Sequence, residues 1–456
     1  MSKLKLPEVT LLGIDCVNIQ RLQAALDVSQ KDIEFGAVKL LSSLESDDAR
    51  LVRIPHIGSI EEISTFCIKD LHTYVDTPYV LLVQYDGFVL NADSWNPEFL
   101  NYDYIGAPWD VGSWDTDLFP ADMKGKLVVG NGGFCLRSKK FLEISGRLAG
   151  EGKIARFHPE DIAACVWYRD LFEQEGATFA PPELAATFSI ESNVGVYGTP
   201  FGFHGLYGKN MDMLTARHPD FPRHMYLPKI RAKRLDDIQK VFEPIAVEGH
   251  LFGSLARGDA DMFSDIDIWL IFKDEDMYEV LEKRFAYYAD IGSIVHIVEP
   301  PQNSPVNGVQ SSVLYKTKVG LFMVDYSLCP LSTAFITTES KKLFGAIDLP
   351  LGEAGFNPQK VVVPESYRID FFMSFIFNGI KKLVRHDTLG FNALLKEYGY
   401  LSERYGVAVP ELIDPSHTFD TLQQIIEHIR PHATQKQLDA LQEISAFAKE
   451  VEKTFA

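Results

Sequence analysis

Apolar and polar positions follow two different patterns in this chain, one before about residue 228 and one after it. In the first half, continuous apolar runs at 9–14, 35–41 and 79–83 predict strands. Segments with helical spacing, around 20–28 and over 59–75, lie between them. Short apolar runs bounded by helices belong to strands covered on both faces, so the alternation predicts an α/β sheet. Later, 250–252 predicts a short strand, the run Ile266, Ile268, Trp269, Leu270 and Ile271 a second, and 321–326 a third. After Pro364 few breakers remain, and apolar periodicity predicts helices over 367–383 and 421–429. The aromatic stripe Phe371, Phe372, Phe375 and Phe377 is expected to pack in the core, against the preceding sheet.

Length then sets the domain count. A chain of 456 residues exceeds the size at which a single core stops growing. Three domains are expected, at 1–225, 235–335 and 336–456, the last a helical region packed on the second. Pro222, Pro228 and the cluster Lys229, Arg231, Lys233 and Arg234 interrupt the pattern between the first two and read as a solvated linker or a helix start.

Charge narrows the partners. The net charge is −19, and both parts share it: 31 acidic residues against 20 basic up to Pro228, 32 against 24 beyond. Neither part has the basic footprint of a nucleic-acid binder, so no nucleic-acid strand is expected as partner. Cys16, Cys67, Cys135, Cys165 and Cys329 are scattered without a Cys-x-x-Cys and read as buried free thiols in a reducing compartment. No apolar run approaches the ~20 residues that span a bilayer, and the first residues lack a signal-peptide core. No membrane span and a cytoplasmic location are expected.

The chemistry concentrates in Leu251-Phe252-Gly253-Ser254-Leu255-Ala256-Arg257-Gly258, followed by Ser264-Asp265-Ile266-Asp267-Ile268-Trp269. Gly253-Ser254 after a strand gives a turn whose backbone N–H groups can approach a triphosphate, with the Ser254 hydroxyl as a further donor. Asp265 and Asp267 stand two apart in an apolar run, so on a strand their carboxylates share one face and repel unless a cation lies between them. Magnesium or manganese suits such oxygen ligands together with substrate phosphates. Asp325, the acidic residue in the apolar run Leu321–Tyr326, is assigned as third metal ligand or as base for an acceptor hydroxyl. Arg257 either contacts a phosphate or pairs with Asp259 or Asp261. A lone Asp-x-Asp is more often the outer face of an edge strand; here the combination decides. With Pro305-Val306-Asn307-Gly308 and Val324-Asp325-Tyr326-Ser327-Leu328-Cys329-Pro330, residues 235–335 resemble the DNA polymerase beta nucleotidyltransferase superfamily, in its small-molecule and antibiotic-modifying branch. The resemblance implies an α+β domain that holds nucleotide phosphates on Gly253 and Ser254 and metal on Asp265, Asp267 and Asp325.

The first half has its own candidates. The run 79–83 leads into Gln84-Tyr85-Asp86-Gly87, which places Asp86 at the carboxyl end of a strand, where open α/β sheets bind ligands. Tyr104-Ile105-Gly106-Ala107-Pro108-Trp109, Gly130-Asn131-Gly132-Gly133, His158-Pro159-Glu160-Asp161 and Phe201-Gly202-Phe203-His204-Gly205 follow. Singly, these read as an Asp-Gly turn, a hairpin, helix-start charges and a core histidine. In this order they resemble a glycosyltransferase-like family with the A-type, Rossmann-related nucleotide-sugar fold. The resemblance implies metal on Asp86, with Gln84 where the family has a first aspartate, and His204 as a further ligand. It also implies Asp86 and Lys209 toward the donor nucleotide, and sugar approach along Asn131, Gly132 and Gly133. Glu160 and Asp161 become the acidic catalytic pair, with Asp161 as base.

Three readings follow. The favoured one is a bifunctional transferase, moving a sugar from a nucleotide-sugar with one domain and a nucleotidyl group from an NTP to a small-molecule or glycan acceptor with the other. The alternatives are an antibiotic-type nucleotidyltransferase whose first domain only binds the acceptor, and a non-catalytic nucleotide sensor.

Overall fold

The first-half strands are β1 (Leu4–Ile14), β2 (Ile33–Ser42), β3 (Leu51–Arg53), β4 (Tyr79–Val83), β5 (Gly87–Val89), β6 (Tyr104–Ile105), β7 (Pro108–Asp110), β8 (Leu127–Val129), β9 (Phe134–Ser138), β10 (Ser189–Ile190) and β11 (Gly202–His204). The computed structural model describes residues 3–111, 118–123, 125–191, 198–205, 209–300, 303–352, 368–405 and 418–455. It divides into two compact units, Met1–Phe221 and Pro222–Ala456.

In the first unit the central sheet runs β3-β2-β1-β4-β9-β6. β3, β2, β1 and β4 are parallel, and β9 is antiparallel to both β4 and β6. The continuous apolar runs are explained by two cores. Leu12, Val80 and Leu82 enter one, with Phe66 and Cys67 of helix Ile60–Lys69 and Phe141 and Leu142 of helix Lys139–Gly150. Val9, Leu11, Leu81 and Val83 enter the other, with Leu22 and Leu26 of helix Ile19–Gln30 and Ala185 and Phe188 of helix Pro182–Phe188. Local chemistry fixes the helix starts: Asn18, Ser59 and Ser138 each accept a backbone N–H from their own first turn. The helix expected over 59–75 is shorter, ending at Lys69 and followed by a 3₁₀ turn, Leu71–Tyr74. The strand order reverses at β1, whose neighbours are β2 and β4. At such a reversal a ligand crevice is expected at the carboxyl ends of the two strands, here β1 and β4, beside Asp15 and Gln84-Tyr85-Asp86.

The second unit carries β12 (Glu248–Phe252), β13 (Ile266–Phe272), β14 (Ser293–Val298), β15 (Val309–Thr317), β16 (Gly320–Pro330) and β17 (Lys341–Gly345), in the order β14-β15-β16-β13-β12-β17. β13 and β16 are parallel and the other pairs antiparallel. One face is apolar: Ile266, Ile268, Leu270 and Tyr326 are fully buried. Phe242 of helix Leu227–Phe242 meets the rings of Phe272 and Tyr326, and Tyr288 of helix Met277–Ile291 stacks on Tyr326. The 223–234 cluster therefore starts a helix, with Pro228 in its first turn, where a missing N–H costs nothing. The sheet also runs past the boundary expected at 335, because β17 pairs with β12 as an edge strand. Helices Arg368–Val384, Thr388–Tyr405, Phe419–Ile429 and Gln435–Phe455 follow. Of the aromatic stripe, Phe372 and Phe377 are core and stack within the helices, Phe372 on Tyr398 and Phe377 on Phe447, while Phe371 and Phe375 are half-buried. Among the described residues no helix is long and apolar enough to cross a membrane.

Candidate active sites in the two units

In the second unit the parallel pairing of β13 and β16 sets Asp267 directly opposite Asp325. Partners in register project to the same face, so the two carboxylates stand side by side, with Asp265 just ahead of β13. Burial raises both. Asp267 is pushed up to about 7 by burial and by the charges of Asp325 and Asp265, and Asp325 to about 6 by burial and by Asp265. The Ser312 hydroxyl donates to Asp325 and partly offsets this.

Gly253 lies against the same carboxylate. A Cβ there would sit 2.4 Å from Asp267 Oδ2, and its φ of +61° is left-handed, so both space and backbone require glycine. Ser254 follows in the one-turn helix Gly253–Arg257, which Gly258 closes at φ +82°. Arg257 pairs with Asp259, at 3.2 Å, and with Glu339, at 3.4 Å. Asp261 is held instead by Arg385, at 2.6 and 2.8 Å.

One important residue escaped the sequence reading. Lys381, 4 % exposed, comes from helix Arg368–Val384 and places Nζ 2.5 Å from Asp265 Oδ2. Its signal was a charge one turn after Phe377 inside an apolar stripe; Nζ lies 5.2 Å from that ring. Arg231, from the cluster read as solvated, is also buried and donates to the carbonyls of Asp261 and Ser264.

The residues at this site suit a hard divalent cation: the donors are all carboxylate oxygens, and Lys381 balances their mutual repulsion only in part, since Asp267 and Asp325 stay raised. Among the described residues, no three or more His, Cys, Asp or Glu side chains are gathered closely enough to hold a metal ion as they stand. Lys381 engages one Asp265 oxygen and Ser312 one of Asp325.

In the first unit, β11 pairs antiparallel with β5, setting His204 opposite Gly87 and next to Asp86. His204 Nε2 is 3.4 Å from Asp86 Oδ1, and Nδ1 is 2.9 Å from Glu191 Oε1. Burial lowers the imidazole pKa, but the two carboxylates outweigh it and push it up to about 10. The two carboxylates thus favour the protonated ring. Trp109 Nε1 donates to the other Glu191 oxygen at 2.6 Å.

The glycine turn is built around these groups. Asn131, at φ +72° and 1 % exposed, accepts the N–H groups of Gly133 and Phe134 on Oδ1, each at 2.9 Å. A Cβ on Gly133 would sit 2.0 Å from the His204 ring, and one on Gly132 1.9 Å from Glu160 Oε1. Glycine at 132 and 133 thus makes room for the site's own side chains. The Gly132 N–H donates to Asp161 Oδ2 at 2.9 Å. Glu160 pairs at 3.0 Å with Arg137, which is 2 % exposed. Burial and the Glu160 charge push Asp161 up to about 7.

Asp86, Asn131, Gly132, Gly133, Glu160, Asp161 and His204 thus belong to one connected neighbourhood. Lys209 opens helix Lys209–Arg217, and its side chain lies outside the described residues. Glu191, Trp109 and Arg137 were assigned no role from the sequence. Nor were Asp15, which caps the turn at Val17 and Asn18 and pairs with Arg21 at 2.5 Å, and Tyr85, whose ring lies 3.8 Å from the Arg21 guanidinium.

Comparison with known proteins gives two partial matches. Residues 233–314 match the family described as Nucleotidyltransferase domain, and residues 49–204 a family described as Protein of unknown function (DUF5672). No curated protein matches the chain. Solved structures with partial likeness include the bifunctional IspDF from Campylobacter jejuni, at 11 % identity over 38 % of this chain and 48 % of that one, TM-score 0.25. The mannosyltransferase PcManGT from Pyrobaculum calidifontis, in complex with GDP-Man and Mn2+, is 14 % identical over 39 % and 57 %, TM-score 0.24. The CdnE cyclic dinucleotide synthase from Elizabethkingia meningoseptica, with GTP and Apcpp, is 12 % identical over 50 % and 92 %, TM-score 0.18. The chain spans about half the length of the first two. Likenesses this slight add nothing to the geometry.

Proposed function

This protein is a transferase with a nucleotidyltransferase domain at residues 233–314, and from that premise we propose that its second unit moves a nucleotidyl group from an NTP to a hydroxyl of a small-molecule or glycan acceptor. The observation that carries the reading is the in-register pair Asp267 and Asp325, raised by burial and repulsion, with Gly253 pressed against it. Asp265, Asp267 and Asp325 would hold magnesium or manganese. Such an ion, when bound, supplies charge neutralisation for the phosphates and for the carboxylates themselves. The Gly253-Ser254 turn orients the phosphates through backbone N–H groups and the Ser254 hydroxyl. The acceptor oxygen attacks the α-phosphorus, pyrophosphate leaves, and the acceptor proton passes to Asp325, which stands on the same face as Asp267.

For the first unit we propose transfer of a sugar from a nucleotide-sugar. Asp161, raised to about 7, takes the acceptor proton, and the crevice at β1 and β4 receives the donor. A second reading, in which this unit binds an acceptor without turnover, is favoured by one observation: His204 is already held by Asp86 and Glu191.

The experiment supplies labelled NTPs and a nucleotide-sugar panel with magnesium or manganese, scoring pyrophosphate and free nucleoside diphosphate separately. Pyrophosphate lost in Asp265→Ala and nucleoside diphosphate lost in Asp86→Ala supports two active sites. Turnover unaffected by Asp86→Ala supports the binding-only reading of the first unit. If neither product forms while nucleotides still bind, both transfer readings fail and a nucleotide sensor remains.

A further inference from the structure

The carboxylate-bearing face of the second sheet continues past Asp267 and Asp325. Two residues further along, Trp269 on β13 stands opposite Ser327 on β16, and Ser327 opposite Gln310 on β15. The period of two puts all three on the carboxylate face, while Ile268, Tyr326 and Leu328 point into the core and are fully buried. Ser327 is only 9 % exposed and Gln310 half-buried, and among the described residues neither the Ser327 hydroxyl nor the Gln310 side-chain amide has a hydrogen-bond partner, so both are left to solvent or a ligand. Trp269 is fixed rather than loose. Its ring lies 4.1 Å from Phe252 between centroids and is met edge-on by Phe335 at 4.8 Å. The row continues to His250 and Lys342, but both are engaged by the buried Glu248. What remains open is therefore uncharged: an indole, a hydroxyl and an amide.

We propose that Gln310, Ser327 and Trp269 seat the ring of a neutral, polyhydroxylated acceptor, a pyranose or cyclitol, so that the nucleotidyl acceptor is a sugar; this rests on the nucleotidyl-transfer reading of the site. The apolar side of such a ring lies on Trp269. Its hydroxyls, which both donate and accept, match a hydroxyl and an amide that do the same. Two residues along a strand span about 7 Å, roughly one pyranose, so a ring seated there brings a hydroxyl at its far edge to Asp325. The charges on the row, His250 and Lys342, are already paired with Glu248, which disfavours an anionic ligand there.

The test uses the full chain. Saturation-transfer NMR with methyl pyranosides and myo-inositol reports sugar binding without nucleotide, and calorimetry with a non-hydrolysable NTP and magnesium reports the nucleotide site. Ser327→Ala and Gln310→Ala are expected to weaken the sugar signal about fivefold to tenfold each, leaving NTP affinity within twofold. Trp269→Leu is expected to abolish the share of the sugar signal that this row supplies, leaving any share of the first unit. Cys329, buried two residues from Ser327, stays unreactive if each variant is folded. The proposal is overturned if no sugar gives a signal with the unaltered protein, or if none of the three substitutions lowers the signal. It is equally overturned if NTP affinity falls fivefold or more in Ser327→Ala or Gln310→Ala, which makes the row a nucleobase seat. Failure of the underlying reading looks different: sugar binds, but no NTP yields pyrophosphate.

Discussion

Asp267→Asn should stabilise the metal-free second unit while abolishing transfer, and the gain should depend on pH. Asp267 titrates near 7 in the folded protein against 3.8 ordinarily. Its raised value means that wild-type stability is full below pH 4, falls as pH climbs from about 4 to 7, and is level above. Three units at about 1.4 kcal/mol each give a cost of about 4 kcal/mol at pH 8. Relaxation and water entry around the carboxylates reduce this, so Asn is expected to recover about 2–4 kcal/mol at pH 8 and about 1 kcal/mol at pH 5. With two units in the chain, a global unfolding signal would mix transitions. Cys329 separates them, since it is the sole cysteine of residues 222–456 and is 2 % exposed. Urea titrations in chelator, with Cys329 trapped by a pyridyl disulfide and read by mass, report this unit alone. Equal gains at pH 5 and pH 8, or a loss at pH 8, would refute the reasoning. Added magnesium should raise wild-type stability and leave Asp267→Asn nearly unchanged.

His204→Leu removes the cation between Asp86 and Glu191, and a loss of about 3–5 kcal/mol is expected at pH 7, read by trapping Cys135. Because the folded value of His204 is near 10, its contribution is full below about pH 6.5 and lost as pH rises through 10, so the gap should narrow at pH 10.5. Gly133→Ala forces a Cβ into the His204 ring and should cost about 1–3 kcal/mol by the same readout. Gly253→Ala meets both a left-handed backbone and Asp267 Oδ2, and calorimetry with a non-hydrolysable NTP should show at least about a tenfold loss of affinity.

What the sequence made legible was whatever local pattern encodes. Asp265-x-Asp267 stood out because it lies in an apolar strand after a Gly253-Ser254 turn, and Asp325 because it is the acidic residue of a later apolar run. The first-unit sheet was legible because Leu11 and Leu12 are both fully buried, which only a strand between two cores requires. Lys381 was not, because its partner Asp265 is 116 residues away and nothing local to either names the other. Glu191 has the same difficulty, since its role exists only where the chain returns to place it beside His204 and Trp109. The glycines at 132 and 133 were legible as glycines but not by cause: sequence suggests access for a ligand, whereas the space is filled by Glu160 and His204.

The parallel pairing of β13 with β16 has a consequence for the time course of folding. Parallel partners cannot be joined by a tight turn, and here β14 and β15 lie between them in the chain. The encounter of Asp267 with Asp325 is therefore a long-range event, slowed first by loop closure and then by like charge. The second unit should acquire its native sheet faster at pH 5 than at pH 8, and stopped-flow mixing with and without magnesium at pH 8 should show the ion relieving the delay.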